Sequence, residues 1–272
     1  MALKNLMPKI GTVMLGSTLC ALTCACASVP LERKGGLSSY EGMTRVKGTR
    51  AKAFIRFDRQ ALAKVRTVKI APVAFAPATD AAQITQEQKD LLAANLSREL
   101  CDRLAKRYDI IAPDQPADLT VEARVTYIGR TGGGLSAVSV ATARLSPIPF
   151  TPRLPIGMGG LAGEAQAVKP SGESAAAMVW ARGADPFTTK ARISAIGDAY
   201  ALSAAFARDF GDMLVTHSDP FQPKPERDYQ PRKDDDPQCA PYGKNPGLVD
   251  FVAKRLGAPP EWTDKGAADP PS

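Results

Sequence analysis

The stretch Leu119–Ile128 reads LTVEARVTYI, and apolar and polar side chains alternate along it as far as Tyr127. A period of two residues is typical of a β-strand that has one buried face and one polar face. The apolar face of such a strand must be covered by a second layer of structure. We therefore expect amphipathic helices in the neighbouring segments.

Two amphipathic helices are predicted. The first begins at a capping box, in which Thr85 is the N-cap and Gln88 lies three residues later, and it continues to about Arg107. The second is expected to run from Asp198, as its N-cap, to Val215. Each carries an apolar stripe at helical spacing. The stripes consist of Leu92, Leu96, Leu100 and Leu104 in the first helix and of Leu202, Phe206, Phe210, Met213 and Leu214 in the second.

Further strands are predicted on both sides of the first helix and before the second. Residues 68–73 (VKIAPV) and 108–112 (YDIIA) have strand composition, and residues 164–168 and 174–182 form a hairpin around a Pro-Ser-Gly turn. The order is strand, helix, strand, strand, hairpin, helix. We therefore expect an α+β domain over residues 66–217, with a mixed sheet of about five strands and two packed helices.

The N-terminus has the organisation of a bacterial export signal. Residues 1–25 contain two Lys, Lys4 and Lys9, followed by 16 uncharged, mostly apolar residues. A membrane-spanning helix needs about 20 apolar residues. The end of this segment, Leu22–Cys26, resembles a lipobox, in which a small residue precedes a Cys that becomes acylated. Cys26 after Ala25 is the favoured lipidation site, and Cys24 is the alternative.

An acylated Cys26 would place the protein in the cell envelope. Several acyl chains, such as palmitate, anchor a protein stably where one chain is marginal. Ala27, rather than Asp, follows Cys26, which by resemblance to enterobacterial sorting rules favours the outer membrane and its periplasmic face. The alternative is ordinary secretion, because Ala25-Cys26-Ala27 is also a signal-peptidase site that would release a chain starting at Ser28.

Three segments lie outside the predicted strands and helices. Residues 26–65 are basic and are interpreted as a lipidated tether and lead-in, and residues 129–163 as a Gly/Pro-rich apolar loop that either is poorly ordered or contacts a membrane or partner. Residues 218–272 contain 11 Pro and are expected to be largely disordered apart from a short helix over 246–256. The candidate contact residues are Phe150, Leu154, Ile156, Met158, Phe251 and Leu256.

The composition argues against several kinds of chemistry. The single His, His217, ends the second predicted helix, where capping is a simpler role than catalysis or metal binding. Gly157–Ala162 fits a relaxed dinucleotide fingerprint, but no predicted strand precedes it and no helix follows it. We expect no cofactor, no metal and no enzymatic activity. The net charge of +7 comes without a clustered basic and aromatic surface, so no nucleic-acid partner is predicted.

Two cysteines remain if the signal is removed and Cys26 is acylated. They are Cys101, on the first predicted helix, and Cys239, in the tail. A disulfide between them is compatible with an oxidising compartment, and a buried free thiol at Cys101 is equally ordinary.

The element order, with Leu37-Ser38-Ser39-Tyr40 before the fold and Ser171-Gly172-Glu173 at the hairpin turn, resembles an uncharacterised bacterial lipoprotein family known only as a domain of unknown function. The resemblance covers residues 37–216. It implies a lipid-anchored α+β protein and supplies no catalytic residues.

Three functions remain open. The first is a non-enzymatic accessory or scaffold lipoprotein of an envelope complex, with the membrane reached through its anchor and with envelope proteins or further copies of itself as partners. The second is a lipoprotein that binds a lipid or small apolar ligand during transport. The third is a secreted hydrolase that uses carboxylate chemistry.

Overall fold

A mixed β-sheet with helices on one face organises the domain. A computed structural model describes residues 29–46, 50–132, 157–223, 230, 237–243, 247, 252–253 and 255–267. The strands are β1 (Thr44–Val46), β2 (Lys52–Phe57), β3 (Thr67–Ile70), β4 (Ala74–Phe75), β5 (Asp109–Ile110), β6 (Leu119–Gly129), β7 (Gly160–Val168) and β8 (Ser174–Gly183). The helices are α1 (Arg59–Ala63), α2 (Gln86–Leu104) and α3 (Gly197–Thr216), with 3₁₀ turns at Pro77–Ala82, Pro237–Tyr242 and Pro260–Trp262.

The sheet confirms the predicted α+β class but is larger than expected. It has eight strands in the order β1-β2-β8-β7-β6-β3-β5, with β4 also pairing with β6. Strand β3 pairs in parallel with both β5 and β6, and β4 pairs in parallel with β6. The remaining pairs are antiparallel. The sequence analysis missed β1, β2 and β4 because they are short or lie in a segment with many basic residues.

The long strand β6 alternates as predicted only as far as Val125. Its register against β7 shifts between Val125 and Tyr127, which is the mark of a bulge. Beyond the shift, Ile128 belongs to the main core, while Tyr127 packs on the opposite face against Val29 and Ala162. The expectation that Tyr127 shares a face with Leu119 was therefore wrong, because one extra residue reverses the alternation.

Helix α2 has the predicted cap and stripe. The Thr85 hydroxyl accepts from Gln88 N, and the Gln88 side chain accepts from Thr85 N, so both bonds of the capping box are present. The four stripe leucines are at most 1% exposed. The helix ends at Leu104, three residues before the predicted end.

Helix α3 starts differently from the prediction. Asp198 is not the N-cap; it lies in the first turn and is fully buried, and its carboxylate accepts from Gly159 N at 2.7 Å. Ile196 occupies the N-cap position without a side-chain cap. His217 forms the C-cap with a left-handed φ of 51°, as the capping interpretation expected of the helix end.

The two long helices run parallel to each other on one face of the sheet. Near their beginnings Asn95 donates to Ser203 at 2.8 Å, and further along Arg103 pairs with Asp212 at 3.1 Å. On the sheet-facing side of α3, the centre of the Phe206 ring lies 5.4 Å from the ring centre of Trp180 on β8. Both helices therefore begin at the same end of the domain.

The folded region begins before the predicted boundary at residue 66. β1 and β2 extend the sheet beside β8, and residues 29–43 cover the sheet face opposite the helices. Val29 and Leu37 are 3% and 8% exposed. The segment interpreted as a tether is thus part of the domain, because the hairpin β7–β8 has two apolar faces and the helices cover only one.

The tail, expected to be largely disordered, contributes packed residues to the helical layer. Cys239 forms a disulfide with Cys101 of α2, and the two Cα atoms are 5.7 Å apart. Arg98 of α2, which is not one of the stripe leucines, is buried under the tail and pairs with Asp264 at 2.6 Å. Of the predicted helix over 246–256, Gly247, Val252, Ala253 and Arg255 are helical and Leu256 lies in the turn that follows, while the other positions lie outside the described residues.

Within the described ranges, no helix combines the length and hydropathy needed to cross a membrane.

The buried ion pair predicts that Asp264 stabilises the docked tail. Asp264→Ala leaves the guanidinium of Arg98 buried without its carboxylate, so we expect the free energy of unfolding to fall by about 3 kcal/mol. Lys265→Ala is the matched control, since Lys265 is the exposed neighbour. Urea denaturation of both variants measures the difference, and equal small losses would contradict a stabilising role for the pair.

Candidate functional site

The features relevant to function concentrate at one end of the domain, here called the Gly160 end. It is defined by Gly129, Gly160 and Gly183, which pair across β6, β7 and β8. Helix α3 also begins there, because Asp198 N donates to the Thr131 hydroxyl just beyond β6. The parallel helix α2 starts at the same end.

The N-terminal segment enters the fold at this end. Cys26 and Cys24, the candidate lipidation sites, lie outside the described residues. Val29 follows Cys26 by three residues and packs closely on Gly160. A Cβ added at Gly160 would lie 2.2 Å from the Cγ2 atom of Val29. Lys52 of β2 donates to the Val29 carbonyl at 3.4 Å. The three-residue step from Cys26 to Val29 spans at most about 10 Å of extended chain.

A buried carboxylate fixes the segment that follows. The Oε1 atom of Glu164 on β7 accepts from Lys34 N at 2.7 Å and from the Tyr40 hydroxyl at 2.8 Å, and its Oε2 accepts from Gly36 N at 2.7 Å. We call Glu164 and these three partners the Glu164 clamp. Glu164 is 1% exposed, so its charge is held by these donors rather than by water.

Gly36 and Tyr40 fit the clamp for identifiable reasons. A Cβ at Gly36 would lie 2.4 Å from Glu164 Oε2, so a larger residue would push the carboxylate away from the backbone N–H. Burial, and the hydrogen bond to the negatively charged Glu164, raise the pKa of Tyr40, which keeps its hydroxyl a donor. The next residue along β7 on this face repeats the pattern: Gln166 Oε1 accepts from both Ser38 N and the Ser38 hydroxyl at 2.9 Å.

The clamp joins two sequence features that are more than 120 residues apart. Tyr40 belongs to the Leu37–Tyr40 motif and Glu164 to the hairpin on which the family resemblance rests. Leu37 packs against Ala177 and Val179 of β8 beside the clamp. The sequence showed both features but gave no sign that they touch, since a polar residue in a strand next to apolar neighbours is usually solvated.

Asp209 of α3 has the clearest raised carboxyl pKa. Burial raises the pKa of Asp209 from 3.8 to about 6, and the hydrogen bond from Trp180 Nε1 and the charges of Arg182 and Arg208 only partly oppose this effect. The Trp180 bond is 2.8 Å long. Asp209 therefore anchors a buried indole to the helix. The neighbouring carboxylate of Asp212, whose charge adds to the raised pKa of Asp209, is itself paired with Arg103.

A groove at the other end of the sheet contains carboxylates that already have hydrogen-bond partners. It measures about 520 Å³ and is lined by Asp58, Lys64, Asp118 and Lys169, among others. Asp58 caps α1 by accepting from Gln60 N and Ala61 N, and Asp118 accepts from Arg66 N and Thr67 N. These backbone bonds lower the pKa of both Asp side chains.

A more enclosed cavity is too small for an apolar ligand of drug size. It lies between the N-terminal segment and β6, near Tyr127, and holds about 50 Å³. Ligand pockets typically measure about 300–1,000 Å³. This cavity therefore gives no support to the second function, the binding of a lipid or small apolar ligand.

Exposed apolar side chains gather at the Gly160 end. Ile193 N donates to the Gly257 carbonyl at 2.9 Å, and Ser194 Oγ donates to Glu261 at 2.7 Å, so the tail residues around Leu256 and Trp262 lie beside the loop that precedes α3. We call this surface the Trp262 patch. It consists of Ile193, Val252, Leu256 and Trp262, which are 42%, 53%, 51% and 76% exposed, and Phe187 of the same loop is 80% exposed.

Two of the six predicted contact residues, Leu256 and Met158, are described by the structure, and they differ in exposure. Leu256 is in the patch, whereas Met158 is 8% exposed and is therefore not available as a contact. Phe150, Leu154, Ile156 and Phe251 lie outside the described residues. Sequence reasoning missed Ile193 and Trp262, since a single apolar residue in a loop gives no periodic signal; the only indication was that Trp262 follows a Pro-Pro pair in a polar tail.

The fold and the clamp define an α+β domain that uses its own N-terminal segment as the cover of one sheet face. The chain belongs to the family described as "Protein of unknown function (DUF3313)", whose profile matches residues 32–210. That range includes the Leu37–Tyr40 motif, Glu164 and most of α3, in agreement with the family resemblance of the sequence. No match to a curated protein was found.

Distant structural similarity extends to two other kinds of bacterial protein. A PelC dodecamer from Paraburkholderia phytofirmans matches with a TM-score of 0.33 and 9% identity, covering 64% of this chain and 99% of that one. A DUF4136 family protein from Bacteroides thetaiotaomicron matches with a TM-score of 0.31 and 12% identity, covering 63% of this chain and 97% of that one. At these scores neither similarity bears on function.

The Glu164 clamp predicts that a conservative substitution of Glu164 destabilises the fold. Glu164→Gln places an amide NH₂ where backbone N–H donors now meet a carboxylate, so we expect the free energy of unfolding to fall by about 1–3 kcal/mol. Amide hydrogen exchange at Lys34 and Gly36 should accelerate. Glu173→Gln is the control, because its side chain is 66% exposed and makes only a surface ion pair. Unchanged exchange in Glu164→Gln would contradict the clamp.

The raised pKa of Asp209 predicts a pH-dependent stability. The folded state holds this proton more tightly than the unfolded state, so Asp209 lowers stability progressively as pH rises from about 4 to about 6. Asp209→Asn keeps an acceptor for Trp180 and should exceed the wild type in stability by about 1–3 kcal/mol at pH 8, with little difference at pH 3.5. Asp114→Asn, at an exposed position, is the control. Denaturant titrations over this range test the effect, and a pH-independent difference would refute it.

Proposed function

We propose that this protein is a lipid-anchored component of the outer membrane that faces the periplasm and acts as a non-enzymatic accessory or scaffold in a cell-envelope complex. The observation that carries the proposal is the position of Val29. The residue that follows the lipobox-like Cys26 by three positions is packed on the sheet, so an anchor at Cys26 would hold the domain directly at the membrane.

The described polar groups support a structural rather than a catalytic role. Glu164 is occupied by three donors from the N-terminal segment, and Asp264 by Arg98 and Tyr200. His217 is 4% exposed, and its Nε2 lies 3.1 Å from the Tyr108 hydroxyl. A catalytic group needs access to a substrate, and these groups are instead used to join segments of the fold.

A disulfide between α2 and the tail agrees with the proposed compartment. Cys101 and Cys239 are 138 residues apart in sequence, and their bond fastens the tail to the helical layer. Disulfides of this kind persist in the periplasm and at cell surfaces, whereas the bacterial cytosol keeps thiols reduced.

The anchor is tested by a pair of cysteine variants expressed in a Gram-negative host. We expect the wild type and Cys24→Ala to carry an acyl-modified N-terminal Cys26 and to fractionate with the outer membrane. Cys26→Ala should lack the modification and no longer fractionate with the outer membrane, because the acyl chains supply the stable part of the membrane affinity. The intact mass shows whether Cys26 is acylated, and sucrose-gradient fractionation shows which membrane holds the protein. Protease access in spheroplasts shows which face of that membrane the domain is on.

Two results would overturn the proposal. An unmodified wild type that begins at Ser28 in the soluble periplasm would show a secreted protein instead. An acylated protein that cross-links in intact cells to no envelope protein and to no second copy would retain the anchor but remove the accessory role.

A further inference from the structure

We propose that the Trp262 patch is a lipid-contacting surface that rests on the inner leaflet of the membrane holding the anchor. The inference rests on the proposed function, because it takes the anchor at Cys26 as the reason that this end of the domain faces the bilayer. It goes further by assigning a membrane contact to residues of the folded domain and the tail.

The position of the patch is the first argument. Val29 packs on Gly160, and Gly159 beside it accepts from Ala184 N at 2.9 Å at the end of β8. The chain that continues β6 is equally close, since Thr131 N donates to the Ala195 carbonyl at 2.9 Å. Ala195 is two residues from Ile193, which is bonded to Gly257. The patch and the entry point of the anchored segment therefore lie at one end of the domain.

The reach of the anchor is the second argument. Acyl chains on Cys26 would fix that residue at the level of the lipid headgroups, and its three-residue distance from Val29 allows a separation of about 10 Å. Apolar side chains of interfacial proteins enter about 5–10 Å into the boundary between headgroups and acyl chains. The end of the domain that carries the patch is thus held at the membrane surface.

The chemistry of the patch is the third argument. Trp262 and the aliphatic residues Ile193, Val252 and Leu256 combine an indole, which favours the interface between membrane and water, with side chains that favour the hydrocarbon. Exposed cations surround them and match anionic headgroups. The cations are Arg130, Lys190, Arg255 and Lys265.

Most carboxylates beside the patch have partners. Asp264 is buried against Arg98, and Asp185 pairs with Arg182 at 2.9 Å. Asp198 is buried and accepts from Gly159 N. Glu261 accepts from Ser194 and from Gln88. The exposed carboxylates of Glu87 and Asp90, at the start of α2, lie at the same end, so the described surface around the patch is apolar with charges of both signs nearby.

The two tryptophans of the chain allow a direct test. Trp180 is fully buried, whereas Trp262 is 76% exposed, so a change in the environment of Trp262 is read by subtracting the emission of Trp262→Phe. The full-length acylated protein, purified in detergent, is reconstituted into vesicles of phosphatidylethanolamine and phosphatidylglycerol whose acyl chains carry bromine. Bromine quenches an indole only at contact distance, and acrylamide quenches it from the water.

We expect brominated lipid to quench most of the Trp262 emission, with a blue shift and with loss of quenching by acrylamide. Acylated Trp262→Phe should show neither change, because the remaining Trp180 is shielded by Phe206 and Asp209. Acylated Leu256→Ser, at another patch residue, should reduce the bromine quenching of Trp262 severalfold. Ala63→Ser, at an exposed position of α1 at the other end of the domain, should not change it.

Several results would overturn the proposal. An acylated, vesicle-bound protein whose Trp262 stays open to acrylamide and is not quenched by bromine would refute the lipid contact while leaving the anchor intact. Protection from acrylamide without bromine quenching would show that a second copy or a partner protein covers the patch.

Failure of the anchor itself is distinguished by mass. If the native protein carries no acyl chains, the proposed function falls, and the unmodified protein is mixed with the same vesicles. Quenching of Trp262 by brominated lipid would then uphold the lipid-contacting surface on its own, and no quenching would overturn it.

Discussion

The burial of the Glu164 carboxylate against the N-terminal segment is the interaction on which the rest of the structure depends. A charged oxygen pair inside a sheet face is unfavourable unless several donors meet it. The backbone N–H groups of Lys34 and Gly36 and the Tyr40 hydroxyl do so. Once they are in place, Val29 and Leu37 cover the apolar residues of β7 and β8 on that face. The hairpin can then be buried on both faces, with the helices on the other side.

The parts of the fold that could be predicted from the sequence are those encoded by local periodicity. The capping box at Thr85 and the four leucines of α2 define a helix without reference to any other segment, and the alternation from Leu119 to Val125 defines a strand in the same way. The Pro-Ser-Gly turn defines the hairpin. Of the candidate site, the sequence indicated Leu256 and the motif at Leu37–Tyr40. It also gave the pairing of the two cysteines as one of two alternatives. It did not indicate the contact between the motif and Glu164.

The parts that could not be predicted depend on contacts between distant segments. The segment 26–65 looks like a tether because it is basic, yet a few of its apolar residues meet β8, and the hydroxyls of Ser38 and Tyr40 bond to side chains of β7. The tail looks disordered because it is rich in proline, yet one disulfide and one buried ion pair hold it, and proline adds little to the entropy cost of docking an irregular segment. The bulge after Val125 has no periodic signature, so Tyr127 was assigned to the wrong face.

The short interval between Cys26 and Val29 bears on how such a protein could be shed from a membrane. Cleavage by a protease requires an extended, accessible stretch of chain in its active-site cleft, and tightly packed segments are poor substrates. The two residues between an acylated Cys26 and the buried Val29 would not offer such a stretch. Release would first require residues 29–40 to detach from the sheet, so that the lifetime of the anchored form would be set by the local opening of the Glu164 clamp and not by the abundance of proteases.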